Sequence, residues 1–242
     1  MTNVSAFVTF DFCPLAFALH MSGIFPRLYA ILDVDLTAAR GIAPMAVLEQ
    51  WLDAGVRLVQ LRAKTFETGP FLTLADEALR RTRLAGARLI VNDRADIAAM
   101  AGADGVHVGQ DDLSPTAARA VVGSSAWVGV STHNDGQVEA AVREPPTYLA
   151  IGPVYATRSK VRPDPVIGIE GVRRAAARAN GAGLPLVAIG GITLDRVADV
   201  ISGGATAVAV ISDLVTSNPG GRAREFLSAL DALDRTRHSS SA

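Results

Sequence analysis

Leu-Ile-Val-Asn-Asp at residues 89–93 and Asp-Gly-Val-His-Val-Gly-Gln-Asp-Asp at residues 104–112 decide the fold. Each is a short apolar run that ends in polar residues with carboxylates, and residues 94–101 between them have the spacing of one short helix. A strand, a helix and a second strand in that order form a parallel unit, so both acidic ends emerge at the same edge of the sheet. Carboxylates there suit Mg²⁺, which takes one or two protein oxygens and completes its shell with a partner phosphate.

The same alternation continues along the chain. The apolar runs are rich in Val, Ile and Leu at nearly every position, as expected of parallel strands covered on both faces. Strands are predicted at residues 28–32, 56–61, 89–91, 105–108, 127–130, 148–151, 186–189 and 207–211. Further helices are predicted at 45–53, 70–84, 115–122, 137–142, 169–179, 194–201 and 223–233. Eight strand–helix pairs predict a single (β/α)8 TIM barrel of the α/β class. A doubly wound open sheet is the alternative, because the pattern alone does not show closure.

The domain organisation follows from length and composition. A chain of 242 residues with 49% hydrophobic content suits one barrel, predicted at residues 27–234. Residues 1–26 are predicted as a loosely ordered N-terminal extension, because this apolar stretch lacks a basic start and contains Asp11 and Pro14. Met21 is a possible alternative start, and residues 235–242 are predicted as a disordered polar tail.

Charge and cysteine content limit the class of partner. The formal net charge of −1 gives no electrostatic case for binding nucleic acid or an anionic membrane. Cys13 is the only cysteine in the sequence, which excludes an intrachain disulfide and a cysteine-based zinc site. We therefore expect a cytoplasmic protein without a nucleic-acid or membrane partner. The sequence leaves a monomer and a homodimer open.

The second predicted strand ends in Gln60, Arg62 and Lys64, which alternate along the chain and therefore point the same way. Arg offers a planar fork for phosphate oxygens, and Lys offers a point charge. These residues are predicted to bind phosphate; the alternative is a solvated loop with ordinary charges.

Two later segments also have the chemistry of a phosphate site. Gly190-Gly191 and Ile211-Ser212 follow the seventh and eighth strands, where barrels often hold a phosphate on backbone N–H groups. Residues 155–168 form a long polar connection, in which the hydroxyls at 157–159 and Lys160 make a candidate lid. The alternative for Gly190-Gly191 is a turn that binds no ligand, and the alternative for residues 155–168 is an exposed loop without a binding role.

Two histidines and two aspartates complete the set of polar candidates. His107 and His133 lack a third imidazole nearby in the sequence, so hydrogen-bonded structural roles are favoured over zinc binding. Asp33 and Asp35 follow the first strand, where they either line the site or only punctuate a turn.

Six stretches together closely resemble the thiamine-phosphate synthase family, in the family's order. They are Gln-Leu-Arg-Ala-Lys at 60–64, Val-Asn-Asp-Arg at 91–94, Gly-Val-His-Val-Gly-Gln-Asp-Asp-Leu at 105–113, Gly-Val-Ser-Thr-His at 129–133, Gly-Pro-Val-Tyr at 152–155 and Ala-Ile-Gly-Gly-Ile at 188–192. The resemblance covers nearly all of residues 28–233. It implies a transferase that joins hydroxymethylpyrimidine diphosphate to a thiazole phosphate, releasing pyrophosphate, with CO₂ lost as well when the thiazole carries a carboxylate.

The resemblance also implies roles for individual residues. Asp93 and Asp112 are expected to bind Mg²⁺. The expected contacts to the pyrimidine diphosphate are Gln60, Leu61, Arg62, Ala63, Lys64, Asn92, Ser131 and Lys160. The expected thiazole-phosphate site consists of Thr157, Arg158, Ser159, Gly191, Ile211 and Ser212. The catalytic groups among them are expected to be Arg62, Lys64, Ser131 and Lys160. The lid departs from the family's Pro-Thr-x-Thr-Lys, because it reads Ala-Thr-Arg-Ser-Lys at 156–160.

Two other functions remain as alternatives. A thiazole tautomerase is a relative with the same barrel that needs the thiazole-phosphate site but not the metal and diphosphate groups. No histidine stands at the end of the sixth strand, where this chain has Pro153. A non-catalytic sensor of thiamine precursors would not need the groups that neutralise a leaving group.

Overall fold

Eight parallel strands close into a barrel in a computed structural model that describes residues 25–144, 146–157 and 164–239. The strands are β1 (Leu28–Asp33), β2 (Leu58–Arg62), β3 (Arg88–Asn92), β4 (Gly105–Val108), β5 (Trp127–Thr132), β6 (Tyr148–Ile151), β7 (Leu186–Ile189) and β8 (Ala207–Val210). Ala30 on β1 lies opposite Val59 of β2 and also opposite Val210 of β8. The ring is therefore complete, which confirms the barrel and excludes the open sheet.

Helices connect successive strands around the outside of the ring. They are α1 (Val34–Ala39), α2 (Pro44–Asp53), α3 (Thr68–Leu84), α4 (Ala95–Ala101), α5 (Pro115–Val122), α6 (Asp135–Arg143), α7 (Gly168–Gly181), α8 (Val197–Ser202) and α9 (Pro219–Ser239). A short 3-10 helix, Leu194–Arg196, precedes α8, so the helix predicted at 194–201 is divided in two.

Two of these helices differ from the sequence prediction. Helix α1 was not predicted; it begins because the Asp33 side chain caps it, accepting a hydrogen bond of 2.9 Å from the Leu36 N–H. Helix α9 continues to Ser239, into the segment predicted as a polar tail, and the Thr236 hydroxyl bonds the Ala232 carbonyl there at 3.0 Å. The predicted extension lies outside the described residues up to residue 24, so it stays a prediction.

The main core lies between the strands and the helices. Alternate strand residues such as Leu28, Ala30 and Leu32 face outward and are fully buried beneath the helices. Trp51 of α2 is the largest side chain in this layer, and its indole N–H donates a hydrogen bond of 3.2 Å to the Leu214 carbonyl. That bond ties α2 to the segment after β8, on the side where the barrel closes.

The barrel interior is filled at the end where the strands begin. Phe25 stacks on Trp127 with ring centroids 5.3 Å apart and meets the Tyr148 ring at the same distance. Leu58 and Ile90 pack into the same inner cluster. This floor leaves open space only toward the carboxyl ends of the strands, in the part of the chain that the structure describes. That end is where barrel enzymes carry their chemistry.

Among the described residues, no helix has both the length and the apolar character needed to cross a bilayer.

Candidate active site

A cavity opens at the carboxyl ends of the strands. The empty space in the cavity, together with the open space at its mouth, has a volume of about 1070 Å³. The predicted site residues that line it are Gln60, Arg62, Asn92, Ser131, Thr157, Gly191, Ile211 and Ser212. The fold thus gathers residues from β2, β3, β5 and the segments after β6, β7 and β8 around one space. Arg158, Ser159 and Lys160 lie outside the described residues.

The predicted metal ligands lie together at the rim of this cavity. Asp93 directly follows β3 with a left-handed backbone, φ 63°, which an aspartate tolerates better than most residues. Asp112 accepts a hydrogen bond of 2.8 Å from the Gly109 N–H. Burial raises the pKa of the Asp112 carboxyl, and the neighbouring Asp93 carboxylate raises it further. The oxygens of two adjacent carboxylates are the kind of ligand that a hard divalent cation such as Mg²⁺ prefers.

Lys64 occupies the same rim. Its ammonium forms an ion pair with the Asp93 carboxylate, and its side chain is 51% exposed. The pair brings a positive charge from the end of β2 against the acidic end of β3. Because an exposed ammonium stays solvated and movable, it can turn toward an anionic ligand that enters the cavity.

Asp33 and Asp35 hold the basic residues of β2 in place, a role that the sequence left open. The Asp33 carboxylate forms an ion pair with Arg62, directly across from it in the β1–β2 register. Asp35 accepts a hydrogen bond of 3.0 Å from the Lys64 N–H and another from the Thr65 hydroxyl. The signal in the sequence was the position of both aspartates at a strand end, beside a strand with basic residues at the same level.

Asp33→Asn is expected to raise about tenfold the KM for the phosphorylated ligand that Arg62 is predicted to bind, since loss of a charge-assisted bond frees the Arg62 guanidinium to move. Helix α1 stays capped, because the asparagine oxygen accepts from the Leu36 N–H as well. Steady-state kinetics with each substrate varied in turn would test this. An unchanged KM would mean that Arg62 needs no support from Asp33.

Two predicted contacts point away from the cavity. The Leu61 side chain is fully buried in the outer core beneath the helices, and Ala63 packs into the same cluster. Their direction follows from strand alternation, which sends Gln60 and Arg62 inward and the residues between them outward. Only the backbone groups of Leu61 and Ala63 could therefore reach a ligand.

The opposite wall of the cavity is formed by the segments after β7 and β8. Gly190 and Gly191 both have positive φ, at 100° and 63°. A side chain at Gly191 would also bring its Cβ to 2.5 Å from the Ala156 carbonyl oxygen, so glycine is required there. Across from it, Arg40 donates a hydrogen bond of 3.1 Å to the Ser212 carbonyl and fixes the turn after β8.

Both histidines are hydrogen-bonded, as predicted, and both also line the cavity. His133 donates from Nδ1 to the Gly152 carbonyl at 2.6 Å, and its Nε2 lies 3.5 Å from an Asp164 oxygen. His107 Nε2 lies 2.9 Å from the Ser131 hydroxyl. Burial lowers the pKa of His107 to about 4, against a smaller opposing effect of Asp112, so the imidazole is neutral at pH 7. No group of three His, Cys, Asp or Glu able to hold a metal occurs among the described residues.

Comparisons with known proteins agree on one family. Residues 28–214 match the family described as thiamine monophosphate synthase. The chain is 47% identical over 207 residues to the thiamine-phosphate synthase of Koribacter versatilis, covering 85% of this chain and 96% of that protein. It is 41% identical over 204 residues to the thiamine-phosphate synthase of Chloroflexus aurantiacus, covering 84% and 92%. The solved thiamine phosphate pyrophosphorylase from Pyrococcus furiosus superposes with a TM-score of 0.76 at 26% identity, covering 86% and 96%.

Proposed function

The chain belongs to the thiamine monophosphate synthase family of transferases, and we propose that it joins 4-amino-2-methyl-5-(diphosphooxymethyl)pyrimidine to a thiazole phosphate. The products are thiamine phosphate and pyrophosphate, with CO₂ as well when the thiazole carries a carboxylate. The thiamine-phosphate synthases of Koribacter versatilis and Chloroflexus aurantiacus are matched over more than nine-tenths of their own length.

One observation carries this proposal: the cavity has two poles suited to anions, on opposite sides of the ring. At one pole, Arg62 ends β2, Lys64 follows β2 and Asp93 follows β3. At the other pole, Gly191 follows β7 and Ser212 follows β8. In a ring of eight strands, β3 and β7 face each other. Two phosphorylated substrates can therefore bind with their anionic groups apart and their rings meeting over the middle.

The residues of the first pole suit departure of pyrophosphate. The C–O bond to the pyrimidine methylene breaks, and its electron pair leaves with the diphosphate. Arg62 and Lys64 neutralise the charge that develops on those oxygens. When bound by Asp93 and Asp112, Mg²⁺ would supply further Lewis-acid neutralisation of the diphosphate. Asp33 keeps the Arg62 fork in a fixed orientation while the charge shifts.

Bond formation needs little from the protein. The pyrimidinylmethyl cation is stabilised by its own aminopyrimidine ring, and the thiazole nitrogen attacks it with its lone pair. Asn92 and Ser131 line the cavity and orient the pyrimidine. The second pole holds the thiazole phosphate at the distance that attack requires, which is a contribution from positioning.

The thiazole tautomerase receives no support. The end of β6 carries Pro153, which follows a cis peptide bond from Gly152 and lines the cavity without a proton to transfer. The groups that suit a leaving diphosphate, which a tautomerase does not need, lie together at the rim.

Pyrophosphate release by the purified chain tests the proposal. With the pyrimidine diphosphate, a thiazole phosphate and Mg²⁺, release is expected to require both substrates and to stop when EDTA is added. Release from the pyrimidine diphosphate alone would indicate a hydrolase. Thermal stabilisation by both substrates without any release would indicate a sensor, and turnover of the thiazole phosphate alone would indicate the tautomerase.

Mg²⁺ as the cofactor, a cytoplasmic location and a monomeric or homodimeric state also belong to this proposal. They are supported by the pair of carboxylates, by the single cysteine of the sequence and by a cavity whose described lining comes from one chain. Sedimentation at micromolar concentration distinguishes the two oligomeric states.

A further inference from the structure

Five polar side chains form a continuous chain of hydrogen bonds across the inside of the barrel. Gln60 Nε2 lies 2.9 Å from Tyr29 Oη, which lies 2.8 Å from Tyr148 Oη. Tyr148 Oη lies 3.0 Å from His107 Nδ1, and His107 Nε2 lies 2.9 Å from Ser131 Oγ. The two ends, Gln60 and Ser131, are predicted substrate contacts. The three residues between them link these contacts, so the five residues lie on five different strands.

This chain of hydrogen bonds has a direction, because the amide nitrogen of Gln60 at its first end can only donate. The amide nitrogen of Gln60 donates to Tyr29 Oη. Among the described residues Tyr148 Oη is the other hydrogen-bond partner of Tyr29 Oη, so the buried Tyr29 proton is satisfied only when it points to Tyr148. The Tyr148 proton in turn goes to Nδ1 of His107. A neutral imidazole that accepts at Nδ1 carries its proton on Nε2, so His107 donates to the Ser131 oxygen.

We propose that Tyr29, Tyr148 and His107 are positioning residues that make the Ser131 hydroxyl a hydrogen-bond donor toward the bound substrate. Since the Ser131 oxygen already accepts from His107, its proton is left to face the cavity. The same direction leaves the Gln60 carbonyl oxygen as an acceptor at the other end. The identity of the substrate rests on the proposed function, in which the pyrimidine ring nitrogens accept and its amino group donates.

Burial and packing preserve this arrangement. Tyr29 and Tyr148 are 1% and 0% exposed, and His107 is 6% exposed. A polar group left without a partner among these three would therefore cost folding free energy. Gly129 on β5 leaves the space for it: a Cβ there would lie 2.5 Å from His107 Nδ1 and would overlap the Tyr148 ring. The β5 backbone is therefore shaped around the contact between these two residues.

The tautomer of His107 tests the direction without reference to activity. In ¹⁵N NMR spectra of the histidine-labelled chain, the His107 signals are assigned as those lost in His107→Asn. The Nε2-protonated tautomer is expected in the protein without substrates. Protonation at Nδ1 would reverse the two bonds that His107 makes, with Tyr148 and with Ser131. Ser131 would then donate its proton to His107 and leave only an acceptor oxygen for the substrate, which would overturn the proposal.

Tyr148→Phe interrupts the chain of hydrogen bonds at its central residue and tests the positioning role. We expect about a tenfold lower kcat/KM for the pyrimidine diphosphate, the loss of roughly one buried hydrogen bond. The KM for the thiazole phosphate stays within about twofold, as expected when the hydrogen bond lost belongs to the other substrate. Some of the Nδ1-protonated tautomer of His107 is expected to appear, because the donor to Nδ1 is gone. The matched control is Thr82→Val, which removes a buried hydroxyl that bonds the Leu79 carbonyl within α3, away from the cavity, and leaves the kinetic and tautomer readouts unchanged.

The outcomes separate this proposal from the proposed function. A purely structural Tyr148 would lower the melting temperature but leave the tautomer unchanged and affect both substrates equally, which would overturn the positioning role. If the unaltered chain releases no pyrophosphate, the proposed function fails. The tautomer of His107 in the unaltered chain and in Tyr148→Phe would still support or overturn the hydrogen-bond direction.

Discussion

Lys64→Met is expected to release pyrophosphate about 100-fold more slowly than the unaltered chain, because it removes a positive charge from the leaving group. Methionine keeps much of the length and apolar stem of lysine, so the change is chiefly one of charge. The Lys64 side chain is half exposed and its ion pair with Asp93 lies at the rim, so the free energy of unfolding should change by no more than about 1 kcal/mol. Single-turnover pyrophosphate release, which reports the chemical step, is the measurement.

Arg80→Met is the matched control for this experiment. Arg80 is exposed near the end of α3, beside the barrel face where the strands begin. The Arg80→Met substitution therefore removes a positive charge, as Lys64→Met does, but at a position away from the cavity. We expect its rate to equal that of the unaltered chain. A Lys64→Met rate within threefold of the control would contradict the role assigned to Lys64.

Asp93→Asn is expected to lower kcat/KM by at least about 100-fold, because it removes the charge of a proposed metal ligand whose Lewis-acid contribution is several kcal/mol. Asparagine is the substitution of choice because, like aspartate, it tolerates the left-handed backbone at this position. Alanine would add strain of about 1–2 kcal/mol there and confuse the result. Pyrophosphate release is measured across a Mg²⁺ titration, with Mn²⁺ binding followed by electron paramagnetic resonance.

The two readouts for Asp93→Asn must agree. Weaker Mn²⁺ binding together with a higher Mg²⁺ requirement is the expected pattern, and Asp112→Asn should reproduce it. Asp96→Asn is the control, since Asp96 is an exposed carboxylate on α4 that pairs with Arg94. Unchanged Mn²⁺ binding in Asp93→Asn would exclude this carboxylate as a ligand.

Much of the fold was predictable because the apolar runs are continuous and sharply bounded. The observed bounds of β4, β6 and β7 equal the predicted ones. β5 extends two residues further than predicted, through Ser131 and Thr132, because backbone pairing with β6 does not depend on side-chain polarity. Helix α1 was missed because Asp33 and Asp35 read equally well as a turn.

The polar residues at the strand ends were predictable from the sequence, but the contacts between side chains of different strands were not. Polar strand ends identify Arg62 and Asp93, whereas the partner of Arg62 depends on the register between β1 and β2. Tyr29 and Tyr148 counted as apolar residues in the sequence pattern, although their hydroxyls bond each other across 119 residues. Closure of the ring brings these groups together, and no local pattern contains that information.

The packed floor of the barrel also determines how molecules reach the site. Phe25 and Trp127 block the end where the strands begin, so in the part of the chain that the structure describes the cavity is a blind well. Both proposed substrates must therefore enter, and both products must leave, through the same mouth. The aromatic floor couples the passage of one molecule to that of the other, because whatever is bound in the well narrows the way for the next.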